Sequence, residues 1–304
     1  MRKNKKIIII LFSIILLLLN LSCTEQPEDS FRFVFMTDIH ITNQRNAVEG
    51  FEKAIEYVNN LQPEPDFVLT GGDLIMDALG KDFYTADSLY TLYLKTAENF
   101  DIPVYNCIGN HEHFGIYKDS GVDPDHPEYS EKMYLNRMNQ ENSYFSFDHK
   151  GWHFVLLNSI GITPRRTYIG HIDTQQHEWL KKDLEKINED QPVAVITHIP
   201  FYSISNQIMH GSLAQNDSGL VIINAHQVME TLKPYNLKLV LQGHLHIVEE
   251  LIWKNTHLIT AGAVSGAWWN GPYHDFEEGF AVVDIEEDEF TWEYMDYGWE
   301  AEEE

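Results

Sequence analysis

A single α/β domain is the fold class predicted from the sequence, and three observations predict it. Apolar runs of strand length alternate with amphipathic runs of helix length. No segment repeats at a fixed period, and no Pro- or Gly-rich linker divides the chain. Phe31 to Met36 opens the pattern as a strand. Asn46 to Leu61 follows as a helix, with Val48, Phe51, Ile55, Val58 and Leu61 near one face. Phe67 to Thr70 is a short buried strand, Asp82 to Asn99 a second helix, and Pro103 to Ile108 a third strand. Tyr144 to Phe147 and Trp152 to Asn158 flank Asp148-His149-Lys150-Gly151, a turn signal, so a hairpin is expected. Thr174 to Glu189 is amphipathic through Trp179, Leu180, Leu184 and Ile187. Val193 to Thr197 reads as a strand, Gly219 to Leu232 as a helix, and Leu239 to Gln242 as a strand. Four short strand patterns close the chain: Leu251 to Trp253, His257 to Thr260, Gly279 to Ile285 and Phe290 to Met295. The domain is expected over residues 31–299, with a solvated acidic tail at 300–304.

The chain has 304 residues, 43% of them hydrophobic and 22% charged, enough for a substantial core without disulfides. Lys and Arg total 21 against 47 Asp and Glu, a formal charge of −26. Such a surface repels polyanions, so no nucleic-acid polymer is expected as a partner. A small anionic substrate stays possible where a bound cation reverses the local sign.

Residues 1–22 read as an export signal. Arg2, Lys3, Lys5 and Lys6 precede an apolar run from Ile7 to Leu19, interrupted at Ser13. The run is shorter than the ~20 apolar residues a spanning helix needs. Ser22-Cys23 resembles a bacterial lipobox, which makes Cys23 the expected lipidation site. Residues 23–30 are then an acidic tether. The expected location is the periplasmic or cell-surface side of a bacterial envelope, with a lipid bilayer as partner. The second cysteine, Cys107, lies in an apolar strand pattern and is expected to be a buried, inert thiol.

Five segments stand directly after apolar strands: Asp38-Ile39-His40, Gly71-Gly72-Asp73, Gly109-Asn110-His111-Glu112, Thr197-His198 and Gly243-His244-Leu245-His246. In an open α/β sheet, sites form beyond the carboxyl ends of strands. Each piece alone is weak, because a strand-end Asp is a common cap and most of the fifteen histidines have structural uses. All five in this order are a strong signal. Residues i and i+2 of an extended chain point the same way, so Asp38 with His40, and His244 with His246, can each aim two groups into one cleft. Oxygen and imidazole donors suit Mn, Zn or Fe.

At these residues the sequence resembles the calcineurin-like metallophosphoesterase superfamily, whose pattern is D-x-H, G-D, G-N-H-[DE], H and G-H-x-H. The resemblance runs from Asp38 to His246. It implies a four-layer αββα sandwich, with two central mixed sheets flanked by helices. It also implies two divalent or transition metal ions. Asp38, His40, Asp73 and His246 would hold one, and Asp73, Asn110, His198 and His244 the other, with Asp73 bridging. A metal-activated hydroxide would attack the phosphorus of a small phosphodiester or phosphomonoester, the diester being favoured. His111 would stand over the phosphate and stabilise charge or protonate the leaving oxygen. Met76 stands where the purple acid phosphatase branch has its Tyr ligand, which argues against that branch.

Other residues compete for substrate roles. Trp268 and Trp269 lie in a Gly-rich stretch; on a strand, one would face the core and the other solvent. Arg165 and Arg166 are candidates to clamp an anion, and His113 to stand on the outer rim. The segment from Tyr117 to Tyr134 reads as a lid or specificity loop. Two other readings are weighed. One is a non-catalytic surface-binding lipoprotein on the same fold, which would be expected to have lost ligands. The other is a metal binder without turnover, which has no need of His111.

The N-terminal reading has a direct test. Cys23→Ser should leave the signal uncut or release the protein from membranes, as seen by fractionation and by mass spectrometry of the N-terminus. A wild-type protein with a free, unlipidated Cys23 would overturn it.

Overall fold

The computed structural model describes residues 30–302. In chain order, β1 (Phe31–Met36), α1 (Ala47–Asn59), β2 (Phe67–Thr70), α2 (Phe83–Ala97) and β3 (Val104–Asn106) form the first half of the pattern. They are followed by α3 (Glu131–Met138), β4 (Phe145–His149), β5 (Trp152–Leu156), β6 (Ile160–Ile162), β7 (Tyr168–Gly170) and α4 (Thr174–Leu184). Then come β8 (Pro192–Ile196), α5 (Ser205–His210), α6 (Ala225–Leu232) and β9 (Asn236–Gln242). Last are β10 (Val248–Trp253), β11 (Thr256–Ala261), β12 (Gly279–Glu286) and β13 (Glu289–Asp296).

Two mixed sheets result. One has the order β13-β12-β1-β2-β3, the other β10-β11-β9-β8-β5-β4. In the first, β1-β2-β3 run parallel up to the β3 edge, and β12 and β13 add antiparallel on the other side; in the second, β5-β8-β9-β11 run parallel and antiparallel β4 and β10 close both edges. Strand alternation then sorts the side chains into three cores. Phe33 and Phe35 face Phe154, Ile196 and Leu241 between the sheets. Val34 and Met36, from the same strand, face Phe51, Ile55 and Val58 of α1. Val193, Val195 and Val240 face Leu180 and Leu184 of α4 and Val228 and Leu232 of α6. Helix, sheet, sheet and helix are therefore four layers around three apolar interfaces, as the resemblance implied.

Several expected boundaries shift. The helix expected from Gly219 is confined to Ala225–Leu232, because Gly219 to Asn224 makes turns and a bridge from Ile222 to Gly170. The hairpin turn is tighter than four residues: Asp148 and His149 stay in β4 and pair with His153 and Trp152, and Lys150 and Gly151 alone turn, both at positive φ. The segment from Tyr117 is not a loop throughout. It contains a 3-10 turn at Lys118–Ser120, and Glu131 begins α3. The β6–β7 hairpin and α5 were not foreseen; both are short and carry no strong periodicity. Cys107 is buried and free, and burial pushes its thiol pKa upward, as expected for an inert thiol. No helix among the described residues is long and apolar enough to cross a membrane; the signal run and Cys23 lie outside those residues.

The inter-sheet core offers a stability test. Phe154 is fully buried, with ring centroids 5.5 Å from Phe33 and 5.4 Å from Phe67. Phe154→Ala should cost about 3–5 kcal/mol in denaturant unfolding. A loss below about 1 kcal/mol would show that the two sheets do not depend on this contact.

Candidate metal centre

The five strand-end segments meet at one rim. The carboxyl ends of β1, β2 and β3 and of β8 and β9 carry them. Backbone bonds lock neighbouring turns together: Asp38 N donates to Gly72 O at 3.0 Å, His40 N to Asp73 O at 2.9 Å, and Gly243 N to His198 O at 3.0 Å. Side-chain contacts tie the two sheets as well, among them His244 N donating to Asp38 Oδ2 at 2.9 Å. The turns approach closely enough to require glycine. A Cβ on Gly109 would strike the backbone N and carboxylate of Asp73, and one on Gly243 would strike Thr37 Oγ1 and Asp38 Oδ2.

The side chains form two clusters. In one, Asp38 Oδ1 lies 3.1 Å from His246 Nε2 and 3.8 Å from His40 Nε2, and the two imidazole Nε2 atoms are 3.1 Å apart. In the other, His198 Nε2 lies 2.9 Å from Asn110 Oδ1, 3.1 Å from His244 Nδ1 and 3.1 Å from Asp73 Oδ2. The same Asp73 Oδ2 is 3.7 Å from His40 Nε2, so this oxygen stands between the clusters. All seven residues that the resemblance marks as ligands are here, divided as it divides them. The geometric reason differs from the sequence argument, however. These segments are not extended: Asp38, His40, Asp73, His244 and His246 all have φ between 49° and 70°. His244 and His246 consequently serve different clusters.

What faces the clusters is fixed by what holds the rings behind. His198 Nδ1–H donates to Gly71 O at 2.8 Å, His246 Nδ1–H to Gly266 O at 2.6 Å, and His244 Nε2–H to Gly219 O at 2.9 Å. A carbonyl can only accept, so in the neutral rings the inward nitrogens present lone pairs. Asp38 Oδ2 is satisfied by Thr37 Oγ1 at 2.6 Å and by His244 N, while Oδ1 is buried without a partner. Lone pairs converging at about 3 Å repel unless a cation lies among them, and this mixed O/N donor set fits a divalent transition metal. Without a cation, protons must fill part of that role. Burial depresses the His198 imidazolium, but the Asp73 charge outweighs it and raises its pKa to about 9. Burial and the His198 charge hold His244 down to about 3, and burial lowers His40 to about 4. Burial works to raise the Asp73 carboxyl, yet His198 and His111 outweigh it and keep it ionised.

Glu112 supplies the frame, a role sequence reading left unassigned. Its carboxylate is fully buried and accepts from four backbone N–H groups: Asp73, Leu74, Ile75 and Gly109, at 2.7–3.2 Å. It thus staples the β2 turn to the β3 turn. His111 is partly exposed. Its Nδ1–H donates to Met76 O, its Nε2 lies 3.8 Å from Asp73 Oδ2, and its ring meets His40 edge-on at 4.6 Å. It therefore stands beside the first cluster, while Asn110 reaches into the second.

Three substrate expectations need revision. Trp269 is 2% exposed, packs against Gly50 and Trp299, and donates to His40 O at 3.0 Å, so it supports the rim from below. Trp268 is half-buried and lies over His246 at 4.5 Å. The two Trp differ in exposure, but through successive left-handed residues rather than strand alternation. Arg166 is no anion clamp, because its guanidinium is used by the carbonyls of Gly115, Ile116, Tyr117 and Val122. That bonding also pins the first part of the expected lid. Arg165 is exposed at the β6–β7 turn. His113 is buried rather than on the rim, bonding Ser130 Oγ through Nδ1 at 2.9 Å.

The sequence model of the calcineurin-like phosphoesterase family matches residues 31–248. Among curated proteins, the chain is similar to a probable glycerophosphodiester phosphodiesterase of Arcobacter nitrofigilis, 24% identical over 76% of this chain and 78% of that one. It is also similar to a 3',5'-cyclic-nucleotide phosphodiesterase of a Nostoc strain, 26% identical over 69% and 70% of the two chains. Among solved structures, a dimetal phosphatase from Danio rerio superposes with a TM-score of 0.62 at 15% identity, covering 88% of this chain and 96% of that one. The Plasmodium protein GAP50, described as an anchor in the inner membrane complex, gives 0.55 at 14% identity, over 88% and 85%.

The Glu112 staple predicts a coupled loss. Glu112→Ala would strand four buried N–H donors and should cost at least about 3 kcal/mol. Metal uptake should fall with it, read by elemental analysis of folded protein. Full metal content at unchanged stability would show that the two turns hold without it.

Proposed function

The chain belongs to the calcineurin-like phosphoesterase family, and from that membership we propose that it is a dinuclear metal-dependent hydrolase of small phosphodiesters. The observation that carries the reading is the pair of clusters sharing Asp73 Oδ2, each lined by inward lone pairs. Asp38, His40, Asp73 and His246 would hold one ion, and Asp73, Asn110, His198 and His244 the other. Divalent ions there supply Lewis-acid polarisation of a phosphoryl group and make water more acidic.

The chain's own groups do the rest. The carbonyls of Gly71, Gly219 and Gly266 fix which imidazole nitrogen faces inward, so the donors need no rearrangement. His111, with Nδ1–H committed to Met76 O, has Nε2 free to carry a proton toward a phosphate oxygen or leaving group. The half-buried Trp268 offers an apolar face to the organic part of the substrate. The diester preference draws support from the phosphodiesterase names of the two curated relatives. The protein would act as an exported, lipid-tethered enzyme through Cys23. A purely binding role is disfavoured, because every donor position is filled and buried or nearly so.

Elemental analysis of the purified protein should find two transition-metal ions per chain, and Asp73→Ala should remove both. A count that stays at zero or one after incubation with Mn or Zn would overturn the dinuclear reading. A panel of chromogenic esters should show faster turnover of diesters than of monoesters; the reverse order would make it a monoesterase.

His111→Ala should keep its metal and lose turnover by roughly 10²–10⁴-fold, the range of a lost general acid. The loss should be smaller on nitrophenyl esters, whose leaving groups need little protonation, than on alkyl esters. Equal losses on both would assign His111 to charge stabilisation. Unchanged rates on both would remove it from catalysis.

A further inference from the structure

Between the two edges of the second cluster the chain makes a long excursion that carries α5. It leaves the rim at His198 and returns at Gly219, whose carbonyl holds His244. Ile222 N closes the base of this loop on Pro200 O at 2.8 Å. Gln242, two residues before His244, ties the start of the loop to the rim. Its side chain accepts from Phe201 N at 2.8 Å and donates to Tyr202 O at 3.4 Å. Ile204 N then donates to Glu249 Oε1, beside the start of β10, at 2.9 Å.

The loop is built inside out. Asn206, Gln207 and Asn216 spend their side-chain N–H groups on the loop's own carbonyls, those of Gln215, Ala214 and Ser203, at 2.5–2.9 Å. Its apolar side chains are exposed instead. Among the described residues nine large hydrophobic side chains are exposed, and six of them stand here: Tyr202, Ile204, Ile208, Met209, Leu213 and Ile223. Residues 199–223 carry one carboxylate, Asp217, and no Glu, Lys or Arg, in a chain of which 22% is charged. Single apolar side chains are ordinary on a surface, but such a concentration at the margin of a site marks a contact.

Charge and position select the occupant. A second copy would bring two formal charges of −26 together, with no positive charge on the loop to offset them. The proposed lipid tether joins β1 at Phe31, at the end of the sheets away from the rim, so an anchoring bilayer would lie at the opposite end from this loop. The substrate itself is the occupant that fits. A phosphodiester carries two organic substituents, and one apolar surface adjoins each cluster: Trp268 at His246, and this loop at His244. The uncharged loop suits the uncharged end of such a molecule, while the clusters suit its phosphate. We propose that the loop receives an alkyl chain, so that the substrates of this rim are amphiphilic phosphodiesters. The proposal rests on the hydrolase reading above and names the organic part of its substrate.

The metal-loaded protein tests this on p-nitrophenyl phosphodiesters whose second substituent is methyl, butyl or octyl, each kept below its aggregation concentration. From methyl to octyl, kcat/KM should rise at least about tenfold, a small part of what covering seven methylenes can give. Ile208→Ser with Leu213→Ser should bring the octyl-to-methyl ratio below about threefold. These side chains are 73% and 93% exposed, so the double variant should keep its fold. Each protein is its own reference, since a general loss of activity lowers both esters alike. Calorimetric titration with octylphosphonate and methylphosphonate reads the same ratio without turnover. No turnover of any ester, with the phosphonate preference present in the wild type and lost in the variant, would overturn the hydrolase reading and keep the alkyl site. A wild-type ratio near one in either measurement that gives a signal, or a ratio that the double variant retains, would overturn the proposal.

Discussion

Lone pairs that no proton separates are the constraint on which this molecule turns. Three histidines are each held from behind by a main-chain carbonyl, and the effect is to fix the tautomer rather than merely the position. Once those outer nitrogens are donors, the inner ones have only electron density to offer. Asp38 Oδ1, Asp73 Oδ2 and Asn110 Oδ1 add more of it within about 3 Å. Nothing in this arrangement is satisfied by the protein alone, except by trapping protons, which is what the Asp73 charge does at His198. The rest of the fold reads as the apparatus that keeps these groups from relaxing apart.

That apparatus has a measurable strain. Five of the seven donor residues lie in left-handed backbone conformations, each costing of order 1 kcal/mol or more for a residue with a side chain. They persist because three apolar interfaces hold the strand ends in register, while Glu112 ties the turns after β2 and β3 beyond the last strand pair and the Asp38 carboxylate ties turns of the two separate sheets. Asp38 shows the economy of the arrangement. One of its oxygens bonds across to the second sheet, and the other is left bare for the cluster.

Much of this was legible in the sequence, and the failures have a common cause. The strands of both sheets and helices α1, α2 and α4 announce themselves by period, since a buried face must repeat. The donors announce themselves by residue type directly after such strands. What periodicity cannot show is the direction a side chain takes once the backbone leaves the regular regions. The extended-chain argument for His244 with His246 therefore brought the two residues to one rim but could not show that they divide between its two clusters. The Trp pair diverged by successive left-handed residues, not by a strand. Arg166 looked like a free cation because its four carbonyl partners lie some fifty residues away. Glu112 sat inside a motif already noticed, but its role depends on N–H groups from a different strand end. Carbonyl partners such as Gly219 and Gly266 leave no residue-type signal at all.

The charge of the chain completes the account. A protein of formal charge −26 is a poor host for an anion, and neither member of its adjacent Arg pair corrects this at the rim. Arg166 is consumed by main-chain carbonyls, and Arg165 is exposed at a hairpin turn. The leading charges acting on Asp38, Asp73, His198 and His244 come from one another and from neighbouring histidines; no lysine or arginine ranks among them. Two buried carboxylates facing a phosphate ester would repel it, and neutral imidazoles would do little to offset that. Divalent ions among the donors would reverse the sign locally, where the lone pairs are already arranged to hold them. With such ions in place, attracting a phosphate ester and activating it would be one electrostatic event. The net acidic charge of the chain would meanwhile repel a polyanion more strongly than a small ester.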